Sequence, residues 1–127
     1  MEIVRKYFYY LRNKMNEPVI TICLGFDCDD IAYRGISICS AKDNPIKKRG
    51  KSISFGRMIK AFHNEMNSDE IDKDEPMNVL ISVRENMNEE TEKLFFNEGS
   101  FLNTFSYKSE VNPELTQYEN KLKNLKE

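Results

Sequence analysis

The 127-residue chain has no tryptophan, one histidine, five glycines, four prolines and three cysteines. A single histidine, His63, excludes paired catalytic histidines and any Ser–His–Asp order that needs a choice among histidines. It also leaves the cysteines only one possible imidazole partner for a metal, His63. Cys23, Cys28 and Cys39 form neither a CxxC pair nor a zinc-ligand spacing. They are expected to be thiols with no disulfide, two of them in apolar runs and buried. No run approaches about 18 consecutive apolar residues, so no segment reads as a membrane span. The opening MEIVRKYFYYLRNKM has no uninterrupted apolar stretch and no small-residue cleavage site, so it does not read as a signal peptide. The expected compartment is cytosolic.

What the chain has is charge and aromatic side chains. Charged residues make up 31% and apolar residues 39%, with eight Phe and six Tyr, enough to build a core. Its length suits one domain, residues 1–127. The formal net charge is −2, unlike the strongly basic balance of a dedicated duplex-DNA binder. Nucleic acid is therefore not the expected partner.

The spacing of Ile3, Val4, Phe8, Leu11 and Met15 predicts an N-terminal helix over residues 1–15. Val19–Phe26 and Ile31–Cys39, rich in β-branched residues, predict an antiparallel hairpin turning at Asp27-Cys28-Asp29-Asp30. Ser52 is the expected N-cap of a second helix carrying Ile53, Met58, Ile59, Phe62 and Met66 on one stripe. Residues 67–76 predict an acidic surface loop, Met77–Val83 a third strand and Met87–Asn97 a third helix. Phe101–Tyr107 predicts a fourth strand. Asn112-Pro113 is expected to open a last helix with Leu115, Tyr118, Leu122 and Leu125 on one side. The sum is an α+β fold: a small, mostly antiparallel sheet packed with N-terminal, central and C-terminal helices. The last stripe needs a cover, the first helix or a second subunit, and a homodimer at least is expected.

Chemistry is sparse. Gly50-Lys51-Ser52 fails as a phosphate-binding Walker loop, because Pro45 stands where that loop requires glycine. Asp27, Asp29 and Asp30 read as a turn more readily than as a cation site. Glu89, Glu90 and Glu92 suit the first turn of a helix. No metal, cofactor or catalytic residue is expected. The stronger signal is charge in blocks. Residues 42–60 hold Lys42, Lys47, Lys48, Arg49, Lys51, Arg57 and Lys60 against Asp43, whereas residues 65–92 hold ten acidic residues against Lys73 and Arg84. A basic run entering a helix is suited to phosphate, because helix N-termini present unpaired N–H groups and partial positive charge. Lys42, Arg49, Lys51 and Arg57 are the candidate phosphate ligands. Arg57 is expected to point away from the core as the chief one. Asp43, Asn44 and Ser54 are the candidates for sugar hydroxyls, and Phe55 or Phe26 for stacking on a base.

The stretch Tyr33–Arg57, YRGISICSAKDNPIKKRGKSISFGR, resembles a motif of the first type of anti-Thoeris proteins. These are small phage-encoded sponges that capture the cyclic ADP-ribose isomer used as a bacterial immune signal. The matching features are a strand ending R-G-apolar-x-apolar-C-S, then K-D, K-K, G-K, and a helix with G-R. The resemblance implies a non-enzymatic viral anti-defence protein acting as a homo-oligomer in the host cytoplasm. The implied ligand is of the glycocyclic ADP-ribose type. The rival reading is a nucleic-acid- or protein-binding inhibitor of another host defence system.

Overall fold

A computed structural model describes residues 2–39, 44–64, 74–96 and 110–125. Its order is β1 (Ile3–Leu11), β2 (Ile20–Asp27), β3 (Ala32–Ile38), α1 (Lys47–Asn64), α2 (Asp74–Glu85), α3 (Glu89–Phe95), β4 (Glu110–Val111) and α4 (Gln117–Lys123). The fold is α+β. The strands form one antiparallel sheet in the order β1-β2-β3-β4, with the two-residue β4 on the outer edge of β3. No helix among the described residues is long and apolar enough to cross a membrane.

The expected N-terminal helix is instead β1. IVRKYFYYL is almost wholly β-branched or aromatic among its apolar residues, which favours a pleated strand. β1 carries apolar residues on both faces, Tyr7, Tyr9 and Leu11 on one and Phe8 and Tyr10 on the other, so its composition shows no clean alternation although only Tyr9 and Leu11 are buried. That two-faced composition imitates the helical spacing of three, four and seven. The hairpin of β2 and β3 is as expected. Asp27 closes it: its Oδ1 accepts from the N–H groups of Asp29 (2.9 Å) and Ile31 (3.0 Å), and its Oδ2 accepts from the Tyr33 hydroxyl (3.1 Å). Asp30 takes φ 62° there, and its carboxylate pairs with Arg5 at 3.2 Å.

One face of the sheet carries small or short side chains: Thr21, Cys23 and Gly25 on β2, and Gly35 and Ser37 on β3. Against it lies α1, burying Ser54, Met58 and Ala61. The approach is close because Gly35 has no side chain. A Cβ there would meet the Ser54 carbonyl oxygen at 2.1 Å and the Met58 nitrogen at 2.3 Å. The opposite face carries Tyr9, Leu11, Ile20, Ile22, Ile36 and Ile38, packed with Val79, Leu80, Val83 and Phe96.

The expected third strand, Met77–Val83, is the body of α2. Val79, Leu80 and Val83 are buried while Ile81 is 40% exposed, the pattern of one helix face rather than of alternation. Pro76 lies in its first turn, where a missing N–H costs nothing. Residues 74–76 of the expected acidic loop thus belong to α2, and the rest of that loop lies outside the described residues. So do Phe101–Tyr107, Met66 and Gly99. The last helix begins at Gln117 rather than at Pro113, capped by Thr116. Its Tyr118 and Leu122 pack on the sheet core and Leu125 is exposed. The cover that its stripe needs is therefore supplied in large part within the chain, by β1 and α3.

Candidate functional site

The helix that the basic run was expected to precede starts inside that run. α1 begins at Lys47, so Lys47, Lys48, Arg49, Gly50 and Lys51 form its first turns, and Ser52 is a helical residue rather than the N-cap. Every charged side chain of α1 is basic: Lys47, Lys48, Arg49, Lys51, Arg57 and Lys60. Four of them crowd the end where the peptide dipoles already place positive charge. Each such residue destabilises the helix start by roughly 0.3–1 kcal/mol, and a bound anion would reverse the sign.

Beside this helix start is a cavity of about 150 Å³. Thr21 and Ser37, register partners on β2 and β3, line its sheet side. Ile46, Arg49, Gly50 and Ile53 line its helix side, with Asn44 and Cys39 at its ends. Gly50 lets the helix sit on the sheet here, because a Cβ would meet Thr21 Oγ1 at 2.4 Å. The cavity therefore brings Thr21, Ser37, Asn44 and Arg49 together beside the first turn of α1, with Pro18, Val19, Ile38, Ile46 and Ile53 as its apolar lining.

The candidate residues divide. Asn44 and Arg49 meet at the cavity. Lys42 and Asp43 lie outside the described residues. Lys51 turns the other way, its Nζ 4.9 Å from the centre of the Phe8 ring. Ser54 is buried and its hydroxyl donates to the Lys51 carbonyl at 3.2 Å; it does not face a ligand. Phe55 is 37% exposed, with the Lys6 ammonium 5.3 Å from its ring centre. Phe26 is fully buried on the opposite face, under the Arg5 guanidinium, and offers no stacking surface.

Arg57 does not aim away from the sheet. Its Nη1 donates to the Ile36 carbonyl at 2.6 Å. Ala32 receives the Asn112 N–H from the β4 side, and backbone direction repeats every second residue. The Ile36 carbonyl therefore points to the same edge, beyond the end of β4. Arg57 thus bonds the β3 edge beyond the end of β4, a structural task.

Sequence reasoning missed Thr21 and Ser37, which looked like ordinary strand residues. It also missed a buried polar cluster beneath α4. Arg34 Nε donates to Glu119 Oε2 at 2.9 Å and its Nη2 donates to Glu119 Oε1 and to the Glu114 carbonyl. The Tyr9 hydroxyl donates to Glu119 Oε2 at 2.8 Å. Thr116 and Glu119 form a reciprocal capping box at the start of α4. T-x-x-E was the one available signal of it. Burial first, and then the Glu119 carboxylate, push the Tyr9 hydroxyl well above its usual range. Every buried polar side chain among the described residues has a partner, so this cluster is an internal anchor, without room for substrate.

Cys23 is buried, and burial pushes its thiol up to about 12 against a weaker opposing effect of Lys6. Cys28 is exposed in the hairpin turn. Among the described residues no three His, Cys, Asp or Glu side chains gather as a metal site. No protein-family model, curated protein or solved structure matches the chain.

Proposed function

We propose that this protein is a non-catalytic phage sponge that captures a cyclic ADP-ribose isomer, blocking Thoeris defence in the host cytoplasm, and that it acts as a homodimer or larger assembly. The observation that carries the reading is the start of α1: Arg49, within a basic first turn, stands with Thr21, Ser37 and Asn44 at a half-polar cavity where Gly50 lets the helix rest on Thr21. A diphosphate suits this place on charge, on N–H donors and on hydroxyl partners for a ribose. The cavity is smaller than the roughly 300–1,000 Å³ of whole-ligand pockets. It would hold a phosphate and part of a ribose, with the rest of the ligand extending past Asn44. The resemblance of Tyr33–Arg57 to the anti-Thoeris motif supplies the ligand class.

Calorimetric titration with cyclic ADP-ribose isomers, linear ADP-ribose and cyclic dinucleotides tests the reading. The expected result is tight binding of one cyclic isomer without turnover, weakened about tenfold or more by Arg49→Ala, since a charged hydrogen bond contributes about 1.5–3 kcal/mol. Arg57→Ala is expected to lower stability more than affinity. No heat with any isomer sinks the proposal, and hydrolysis of the ligand sinks the sponge. Light scattering at micromolar concentration checks the assembly, and a monomer overturns that part.

A further inference from the structure

We infer that the surface shared by β1 and α1 binds single-stranded nucleic acid and is separate from the cavity at the start of the helix. Among the described residues β1 is an edge strand of the sheet. On the α1 side it presents Lys6, Phe8 and Tyr10, alternate residues of one strand face. α1 presents Lys47, Lys51 and Phe55, each four residues after the last, along one helix face. The two rows run alongside each other and pair rung by rung. Lys47 Nζ lies 4.8 Å from the Tyr10 ring centre, Lys51 Nζ 4.9 Å from Phe8 and Lys6 Nζ 5.3 Å from Phe55. The Arg12 guanidinium adds a second cation to Tyr10 at 5.7 Å.

Successive rungs are about 6–7 Å apart, since two strand residues and four helix residues advance by nearly the same length. Lys6, Lys47, Lys51 and Arg12 are exposed, and Phe8 and Tyr10 half-buried. A row of apolar rings would suit an apolar partner, but here each ring carries a cation. The row therefore asks for a partner with an anion and a flat ring repeating at that spacing. An extended single strand offers both: phosphates for the ammonium groups and bases for the rings. A duplex hides its base faces, and a membrane surface offers no repeating flat ring. The surface is not visible in the net charge of −2, to which six acidic residues of α2 and α3, helices packed on the other face of the sheet, contribute.

The test is fluorescence anisotropy with labelled dT15 and rU15, alongside a 15-bp duplex, heparin and vesicles of mixed phosphatidylcholine and phosphatidylserine. Both single strands are expected to bind, with log Kd rising steeply and linearly with log salt. Lys47→Glu with Lys51→Glu is expected to weaken binding at least tenfold. Phe55→Ala, a change at a partly exposed ring, is expected to weaken it at least fivefold at fixed salt, since loss of one base stack has that effect or more. Circular dichroism checks that each variant is folded; if Phe55→Ala is not, Phe55→Leu, which keeps bulk and removes the ring, takes its place. Equal binding of duplex, or of heparin with no effect of the Phe55 variant, overturns the inference. So does binding to vesicles with none to either oligonucleotide.

Discussion

Tyr9 hydroxyl and Cys23 thiol both lose water on folding, and both are harder to ionise as a result, Cys23 reaching about 12. A group whose folded value is raised holds its stabilising contribution below its unfolded value and loses it as pH rises through the folded one. The unfolded references are 9.0 for Cys23 and 10.0 for Tyr9. Stability is therefore expected to be level up to about pH 9 and to fall between pH 9 and 12, read as the urea midpoint against pH. Tyr9→Phe should flatten the upper part of that fall while lowering stability at pH 7 by about 1.5–3 kcal/mol, through loss of the bond to Glu119. An unchanged alkaline slope would contradict the burial of Tyr9. The same cluster gives a second residue-scale test. Glu119→Ala strands the buried Arg34 charge and is expected to cost about 3–5 kcal/mol, whereas Arg34→Met with Glu119→Leu should recover much of it. Urea unfolding of the three proteins decides between an ion pair that is merely satisfied and one that is the main source of stability.

Helix α1 is held by closeness rather than by a large apolar face. Its buried residues are Ser54, Met58 and Ala61, and its backbone rests directly over Gly35. Gly35→Ala must therefore push the helix off β3, an overpacking expected to cost about 3 kcal/mol or more. Gly56, in the same helix, faces open space with nothing within 4 Å of a Cβ. Gly56→Ala is expected to stabilise by about 0.5–1 kcal/mol through helix propensity alone. Thermal unfolding of the pair separates contact from propensity; equal effects would mean that α1 does not sit as described. Along β1, an edge strand among the described residues, Lys6 and the register shift between Ile3 and Arg5 also disfavour pairing with another strand.

At the scale of the molecule, the described helices sort charge by the face of the sheet they cover. α1 has six basic residues and no acidic one, whereas α2 and α3 carry Asp74, Glu75, Glu85, Glu89, Glu90 and Glu92 against Arg84 and Lys93. Like charges within each face repel. The exposed or half-exposed pairs that offset them, Arg5–Asp30, Arg84–Glu92 and Lys93–Glu89, are each worth about 0–1 kcal/mol. Salt screens both effects but leaves the buried Arg34–Glu119 pair untouched. With α1 wholly basic and the surface pairs individually weak, the melting temperature of the unliganded protein is expected to rise modestly from 10 mM to 0.5 M sodium chloride. A fall would mean that the surface pairs dominate.

The hairpin of β2 and β3, the helices α1 and α3, and the α+β class were legible because each follows from local chemistry: β-branched runs, an Asp-rich turn, helical spacing and caps. The basic block and its link to a helix start were legible too, from Lys47 to Lys51. What the sequence could not decide was any segment whose pattern depends on how many faces are covered. β1 is apolar on both sides and so imitated a helix. MNVLISV is rich in β-branched residues and so imitated a strand, until packing chose the face of Val79, Leu80 and Val83. Side-chain direction was likewise a tertiary matter. Arg57 turned to the Ile36 carbonyl on β3, Phe26 to the buried face and Lys51 to Phe8. Glu119 met Arg34 across 85 residues. A sequence fixes which groups exist and their local preferences; which solvent, partner or backbone each one meets is set only when distant segments pack and buried polar groups must be satisfied.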